Sequence, residues 1–169
     1  MALAQLDRPP LATRIRVIAS SFLVPANQEG DRHKLLCGKG FGRVDADESP
    51  DYVLAMPQGK LCIKEAIAEV VYEDLFEECF GPASGWTRLA RRQERFLSLA
   101  QYDYVLRTSG TETCLDRATN VSLVWDGEQL YVGMADYEKR AWNVDMVPFL
   151  GDFPPGVPAP RGTRCFWRG

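Results

Sequence analysis

The sequence predicts one α+β domain, antiparallel strands arranged about a central helical pair. Three observations carry that expectation. Apolar, β-branched runs lie near the N-terminus and again around Asp126-Gly127, the strongest hairpin signal in the chain. Between them, two stretches space their apolar residues at helical intervals. Strands that precede and follow the helices, rather than alternating with them, argue against a parallel α/β sheet. With 169 residues, 46% hydrophobic and 25% charged, the chain is long enough to bury a core of its own.

Taken in order, residues 1–12 contain Pro9-Pro10 and read as an irregular lead-in to a domain spanning 13–150. Arg14 to Val24 reads as a strand and Pro25 to Asp31 as a turn. Residues 37–50 form a Gly-rich, then acidic, loop before a short strand from Tyr52 to Met56. Ile63, Ala66, Ile67, Val70, Val71 and Leu75 make one helical stripe, ended by Gly81-Pro82. Glu65, Glu69 and Glu73 fall four apart on that helix. A second helix is expected from Trp86 to Ala100, with Arg88, Arg91, Arg92 and Arg95 on its polar face, and Tyr102 to Leu106 reads as a strand or a helix end. Val121–Val124 and Leu130–Val132 flank Asp126-Gly127, which suits a type I′ turn, and a further strand covers Ala141 to Val147. Residues 151–169, rich in Pro and Gly, read as a tail packed on the surface. The expected core is Ile63, Ile67, Val70, Val71, Leu89, Phe96, Leu97, Val121, Leu123 and Val132.

Composition narrows function mainly by exclusion. A net charge of −3 and a pI of 5.3 provide no global basic field for nucleic acid or acidic lipid. No apolar run approaches the ~20 residues of a membrane helix, and the N-terminus lacks a signal peptide's apolar stretch. The expected address is the cytoplasm, of the producing cell or of a cell that receives the protein. Cys37, Cys62, Cys79, Cys114 and Cys165 are scattered, and His33 is the only histidine, so neither a zinc site nor a disulfide framework is expected. With His33 in a charged loop and no G-x-S-x-G elbow, a Ser–His–Asp or Cys–His hydrolase is disfavoured. Gly38-Lys39-Gly40-Phe41-Gly42 fits neither the P-loop nor the dinucleotide fingerprint.

One passage carries a resemblance. In GFGRVDADESPDYVLAMPQGKLCIKEAIAEVV, Gly42-Arg43 is followed by a strand carrying Tyr52 and by an Ala-x-x-Glu pattern at Ala66–Glu69, and Ser109 follows in a turn. This order resembles the RES domain, a family of about this size named for an arginine, a glutamate and a serine. The resemblance implies an ADP-ribosyltransferase-like fold that consumes NAD as substrate, without a metal, as a mono-ADP-ribosyltransferase or an NAD glycohydrolase of toxin or effector type. It implies that Arg43 clamps the pyrophosphate with its planar fork while Gly42 lets the backbone approach. Tyr52 would stack on the nicotinamide or ribose, and Ser109 would hydrogen-bond the carboxamide. Glu69 would stabilise the oxocarbenium character that grows as nicotinamide leaves. A protein acceptor would complete the transferase reaction.

Each residue also has a plainer reading. Arg43 suits a turn in which it pairs with Asp45 or Asp47, Tyr52 suits a half-buried strand, and Ser109 suits a turn former. The alternative function is a non-catalytic protein-binding inhibitor or immunity protein, such as a small phage or bacterial accessory protein. A nucleic-acid module using the Arg88–Arg95 face comes third, because the chain is acidic and that face lacks interleaved aromatics. Geometry separates the first two: an NAD enzyme must gather Arg43, Tyr52 and Glu69 around one concave site.

Overall fold

The computed structural model describes residues 11–18, 22–27, 40–45, 54–81, 92–108, 119–149 and 156–169. Its architecture is a single α+β domain: a mixed eight-stranded sheet, a second sheet of two short strands, and a helix on each face of the larger sheet. A helical turn, α1 (Leu11–Arg14), leads into β1 (Ile15–Ile18) and β2 (Leu23–Val24), where the first strand was expected.

The hairpin around Asp126-Gly127 forms between β6 (Asn120–Trp125) and β7 (Leu130–Glu138), from Asn120↔Ala135 to Trp125↔Leu130. Its turn differs from expectation. Asp126 Oδ1 accepts the N–H groups of Glu128 (2.7 Å) and Gln129 (2.6 Å), and within this turn only Gly127 has a positive φ (104°). A type I′ turn needs two such residues, and it occurs one hairpin later. Lys139 (φ 51°) and Arg140 (φ 64°) are the two residues between the paired Glu138 and Ala141, connecting β7 to β8 (Ala141–Pro148).

The segment expected as the first helix is mostly strand. Gly59–Ala66 forms β4, and Val70–Val71 forms β5, which pairs with β9 (Pro158–Ala159). The cause is burial on both sides. Leu61 and Ile63 enter one core cluster and Ala66 the other, so apolar residues occupy both phases of the strand and imitate a helical stripe. The helix itself, α2 (Tyr72–Phe80), begins where the stripe was expected to finish and ends at Gly81 (φ 86°). The Gly-rich loop is likewise half strand: β3 (Phe41–Asp45) runs parallel to β8. The expected strand from Tyr52 to Met56 reduces, among its described residues, to a bridge between Met56 and Asn27.

The tail expected on the surface supplies an interior strand. β10 (Arg164–Arg168) lies between β4 and β6 in the order β1-β4-β10-β6-β7-β8-β3, with β2 also pairing to β4. Phe166 and Cys165 point into opposite clusters. Buried Arg168 donates from Nε to Phe96 O (3.1 Å) and from Nη2 to Gln93 O (2.9 Å).

Of the second expected helix, the described part is a 3-10 turn at Gln93–Arg95. Leu97 then bridges to Val124, and α3 (Leu99–Thr108) begins near the expected end. Arg88 and Arg91 lie outside the described residues. A capping box starts α3: Ser98 Oγ accepts the Gln101 N–H, and Gln101 Oε1 accepts the Ser98 N–H, both at 3.1 Å. Ser98 Oγ also donates to Asn27 Oδ1 at 2.6 Å. Ser98→Ala is therefore expected to cost about 1–2 kcal/mol, measured as a lower urea midpoint with an unchanged slope.

Leu99, Tyr102, Val105 and Leu106 of α3 pack on one face of the sheet, and Leu75, Phe76, Cys79 and Phe80 of α2 on the other. The expected central pair is thus separated by the sheet. Ile63, Val70, Phe96, Leu97, Val121 and Leu123 are buried as expected, while Val71 and Val132 are half-buried. Ile67 is exposed, because it leaves β4 into a turn, and Leu89 lies outside the described residues.

Candidate functional site

Arg43 and Gly42 sit on β3, at one end of the strand order. A Cβ at Gly42 would lie 2.7 Å from Asn143 Oδ1, so this approach requires glycine. The same Oδ1 accepts the Arg43 N–H at 3.0 Å. Arg43 Nη2 lies 3.4 Å from the Asp145 carboxylate, a partner about a hundred residues away rather than one in its own turn.

Glu69 is exposed in the turn after β4, at the other end of the sheet. Its backbone carbonyl accepts from Arg14 Nη1 at 3.3 Å. The three glutamates expected on one helical stripe are dispersed: Glu65 is buried on β4, Glu69 lies in the turn, and Glu73 is exposed at the start of α2. Five strand steps separate β4 from β3, about 24 Å along the sheet at ~4.8 Å per step. Tyr52 and Ser109 lie outside the described residues.

Glu65 sits between two arginines. Arg16 of β1 reaches it through Nε (2.6 Å) and Nη2 (2.5 Å), and Arg164 of β10 through Nη2 at 3.4 Å. In register, Arg16, Glu65 and Arg164 stand side by side on three neighbouring strands. This is a structural carboxylate.

A cavity of about 230 Å³ opens between β3, the Lys139-Arg140 turn and the C-terminal end of α3. Phe41, Arg107, Tyr137, Arg140 and Trp142 line it with Gly40 and Leu106. The Arg107 guanidinium lies 4.7 Å from the Phe41 ring centroid, and its Nε donates to Asp103 Oδ2 at 2.7 Å. Tyr137 and Trp142 meet edge to face at 5.1 Å, and the Trp142 indole donates to Leu106 O at 2.9 Å. These contacts hold the aromatic wall in place.

Arg43 does not face this cavity. Trp142, Val144 and Met146 of β8 belong to the α3-side cluster, and Phe41 and Val44 pack against it. Asn143 and Asp145, the partners of Arg43, alternate with them on the opposite face. The register shift between Phe41 and Val44 is what places both on the α3 side and leaves Arg43 on the other.

Other perturbed groups are structural. Burial raises the pKa of the Tyr102 phenol far above its usual range, with Asp136 and Asp145 adding to the effect. Burial likewise raises that of Tyr72, again helped by Asp136, while a hydrogen bond with Thr163 opposes it. Cys62, Cys79 and Cys165 are free thiols, and burial pushes the Cys165 thiol well up. Among the described residues, no group of three or more His, Cys, Asp and Glu side chains gathers as a metal ion would require. No described helix is long and apolar enough to cross a membrane.

Sequence reasoning marked the glycines beside Phe41 but not Arg107, Arg140 or Trp142. The one local signal was Lys-Arg where a two-residue hairpin ordinarily takes Asn-Gly. Compared with family models, curated proteins and solved structures, the chain matches none.

Proposed function

We propose that the protein acts as a non-catalytic protein-binding module, docking an extended acidic segment of its partner along the β1–β2 edge. The exposed apolar edge carries this reading. Val17 is 70% exposed and Leu23 55%, and they stand opposite Lys64 and Lys60 of β4 on the same sheet face. Among the described residues β1 pairs with β4 alone. Such an edge supports strand addition, with backbone hydrogen bonds giving affinity and alternate side chains giving specificity. Arg16 pairs with Glu65 and Lys64 with Glu78, so Lys60 is what tips this edge positive in an acidic chain, which favours an acidic partner segment. This agrees with an inhibitor or immunity role.

Peptide display against the immobilised protein is expected to select segments alternating apolar and acidic residues. Their affinity is expected to fall at least tenfold in Val17→Lys and in Leu23→Lys, both solvent-facing substitutions that leave the fold intact. Selected peptides indifferent to both changes would refute the docking edge.

A second reading keeps the NAD-consuming enzyme, with its ADP-ribosyltransferase-like fold and toxin or effector role. One observation favours it: Gly40 and Phe41, beside Gly42-Arg43, line the cavity. The distance between Arg43 and Glu69 along the sheet places it second. With NAD added, nicotinamide release is expected to be identical for wild type and Glu69→Gln. A hundredfold or greater loss in the variant would make Glu69 the transition-state carboxylate and promote the enzyme reading. Weaker NAD binding by Arg43→Ala would then mark the pyrophosphate clamp.

A further inference from the structure

The cavity at the end of α3 combines features that select a ligand class. Its walls are aromatic, from Phe41, Tyr137 and Trp142, and among the described residues its charged side chains are Arg107 and Arg140. Asp103, 98% buried beneath Arg107, holds that guanidinium through Nε, and with Arg140 the described lining carries a net positive charge. Arginine planes and aromatic rings together hold flat, π-bearing molecules, while the guanidinium edge offers paired donors to an acid group.

The turn that carries Arg140 strengthens this reading. Lys139 and Arg140 both adopt the left-handed conformation, at φ 51° and 64°, where residues with a Cβ are disfavoured. Basic residues take the positions a hairpin normally gives to Asn-Gly, and the second of them, Arg140, puts a cation at the cavity's rim at the expense of turn stability. Size sets the upper limit. A volume of about 230 Å³ falls below the ~300–1,000 Å³ of pockets for drug-sized ligands, so it suits one ring with its acid group rather than a whole dinucleotide.

We propose that this cavity is a binding site for a small anion carrying a single planar ring, the ring lying along the Phe41–Trp142 wall and the anionic group meeting Arg140 and Arg107. Both aromatic carboxylates and pyrimidine nucleoside monophosphates present that chemistry. The site lies at the far end of the sheet from Val17 and Leu23 and on the opposite face from Arg43, so it stands or falls apart from the docking edge.

Titration of the full chain with 4-hydroxybenzoate and with uridine 5′-monophosphate, followed by saturation-transfer NMR and calorimetry, tests the proposal. The neutral counterparts, 4-hydroxybenzamide and uridine, run alongside. At least one anion is expected to bind saturably below about 5 mM, ten times or more tighter than its neutral counterpart. Which anion prevails identifies the carboxylate or the nucleotide as the source. Arg140→Gln, on an exposed turn, is expected to weaken that binding at least tenfold, and Phe41→Leu to weaken it several-fold. Arg161→Gln, an equal charge change in the turn between β9 and β10, should leave it unchanged. Absence of binding by both anions, equal binding of the neutral compounds, or an Arg140→Gln protein that binds like wild type would each overturn the proposal.

Discussion

Replacing Glu65 with alanine is expected to destabilise the protein by about 3–5 kcal/mol, the loss typical of breaking a buried ion pair from one side. Glu65 is 8% exposed, and its two arginines do not contribute equally. The Arg16 side chain is 60% exposed, so water and salt screen its pairing despite the short contact, and its share is small. Arg164 is buried on an interior strand, and without Glu65 its guanidinium loses a carboxylate that helps offset its desolvation. Glu65→Gln should fall between, because it keeps an acceptor oxygen and loses the charge. The double replacement Glu65→Met with Arg164→Met should recover much of the loss, since an apolar pair removes both buried charges together. Urea unfolding of the four proteins checks the series. An alanine variant within 1 kcal/mol of wild type would show that the triad does not hold β1, β4 and β10 together.

In the sequence reading Glu65 stood in line with Glu69 and Glu73, four residues apart, on an expected helix, with no structural role of its own. Periodicity failed there for a physical reason: with clusters on both faces, β4 carries apolar side chains in both phases, and a window of such residues has no single period. Composition misled at the other end. Proline and glycine between 151 and 162 suggested a surface tail, yet Arg-Cys-Phe-Trp-Arg at 164–168 supplies alternating faces and becomes an interior strand. The boundary of α3 was legible and missed, since Ser98-Leu-Ala-Gln101 is a capping box just before an apolar run. Where a pattern was strictly local, it served well: the β6–β7 hairpin, the strand from Ala141 and the helix stop at Gly81 all formed. The cavity had no such local pattern. Phe41, Arg107 and Arg140 meet only because β3 pairs with β8, a parallel contact between segments about a hundred residues apart. Parallel pairing of that reach leaves no turn signature in the sequence.

A single methyl group at Gly133 is expected to destabilise the fold by about 2–3 kcal/mol, an overpacking cost that outweighs the gain of alanine over glycine in a strand. A Cβ there would lie 2.7 Å from Tyr102 Cζ, 2.8 Å from its hydroxyl oxygen and 3.0 Å from Cε2. Neither side has room to yield. Gly133 is paired with Ser122 on one side and Met146 on the other, in the interior of the sheet. Tyr102 is fully buried, with its ring stacked on Phe166 at 5.8 Å and 10°. Removing the hydroxyl alone would leave the two ring carbons in the way, so Tyr102→Phe should not rescue Gly133→Ala. Tyr102→Leu, which withdraws the ring, should recover about 1 kcal/mol in the Gly133→Ala background despite costing stability by itself. Thermal and urea unfolding of the double-mutant cycle measure that coupling. A Gly133→Ala protein as stable as wild type, or a cycle that adds without coupling, would show that α3 does not press on the sheet as closely as this packing requires.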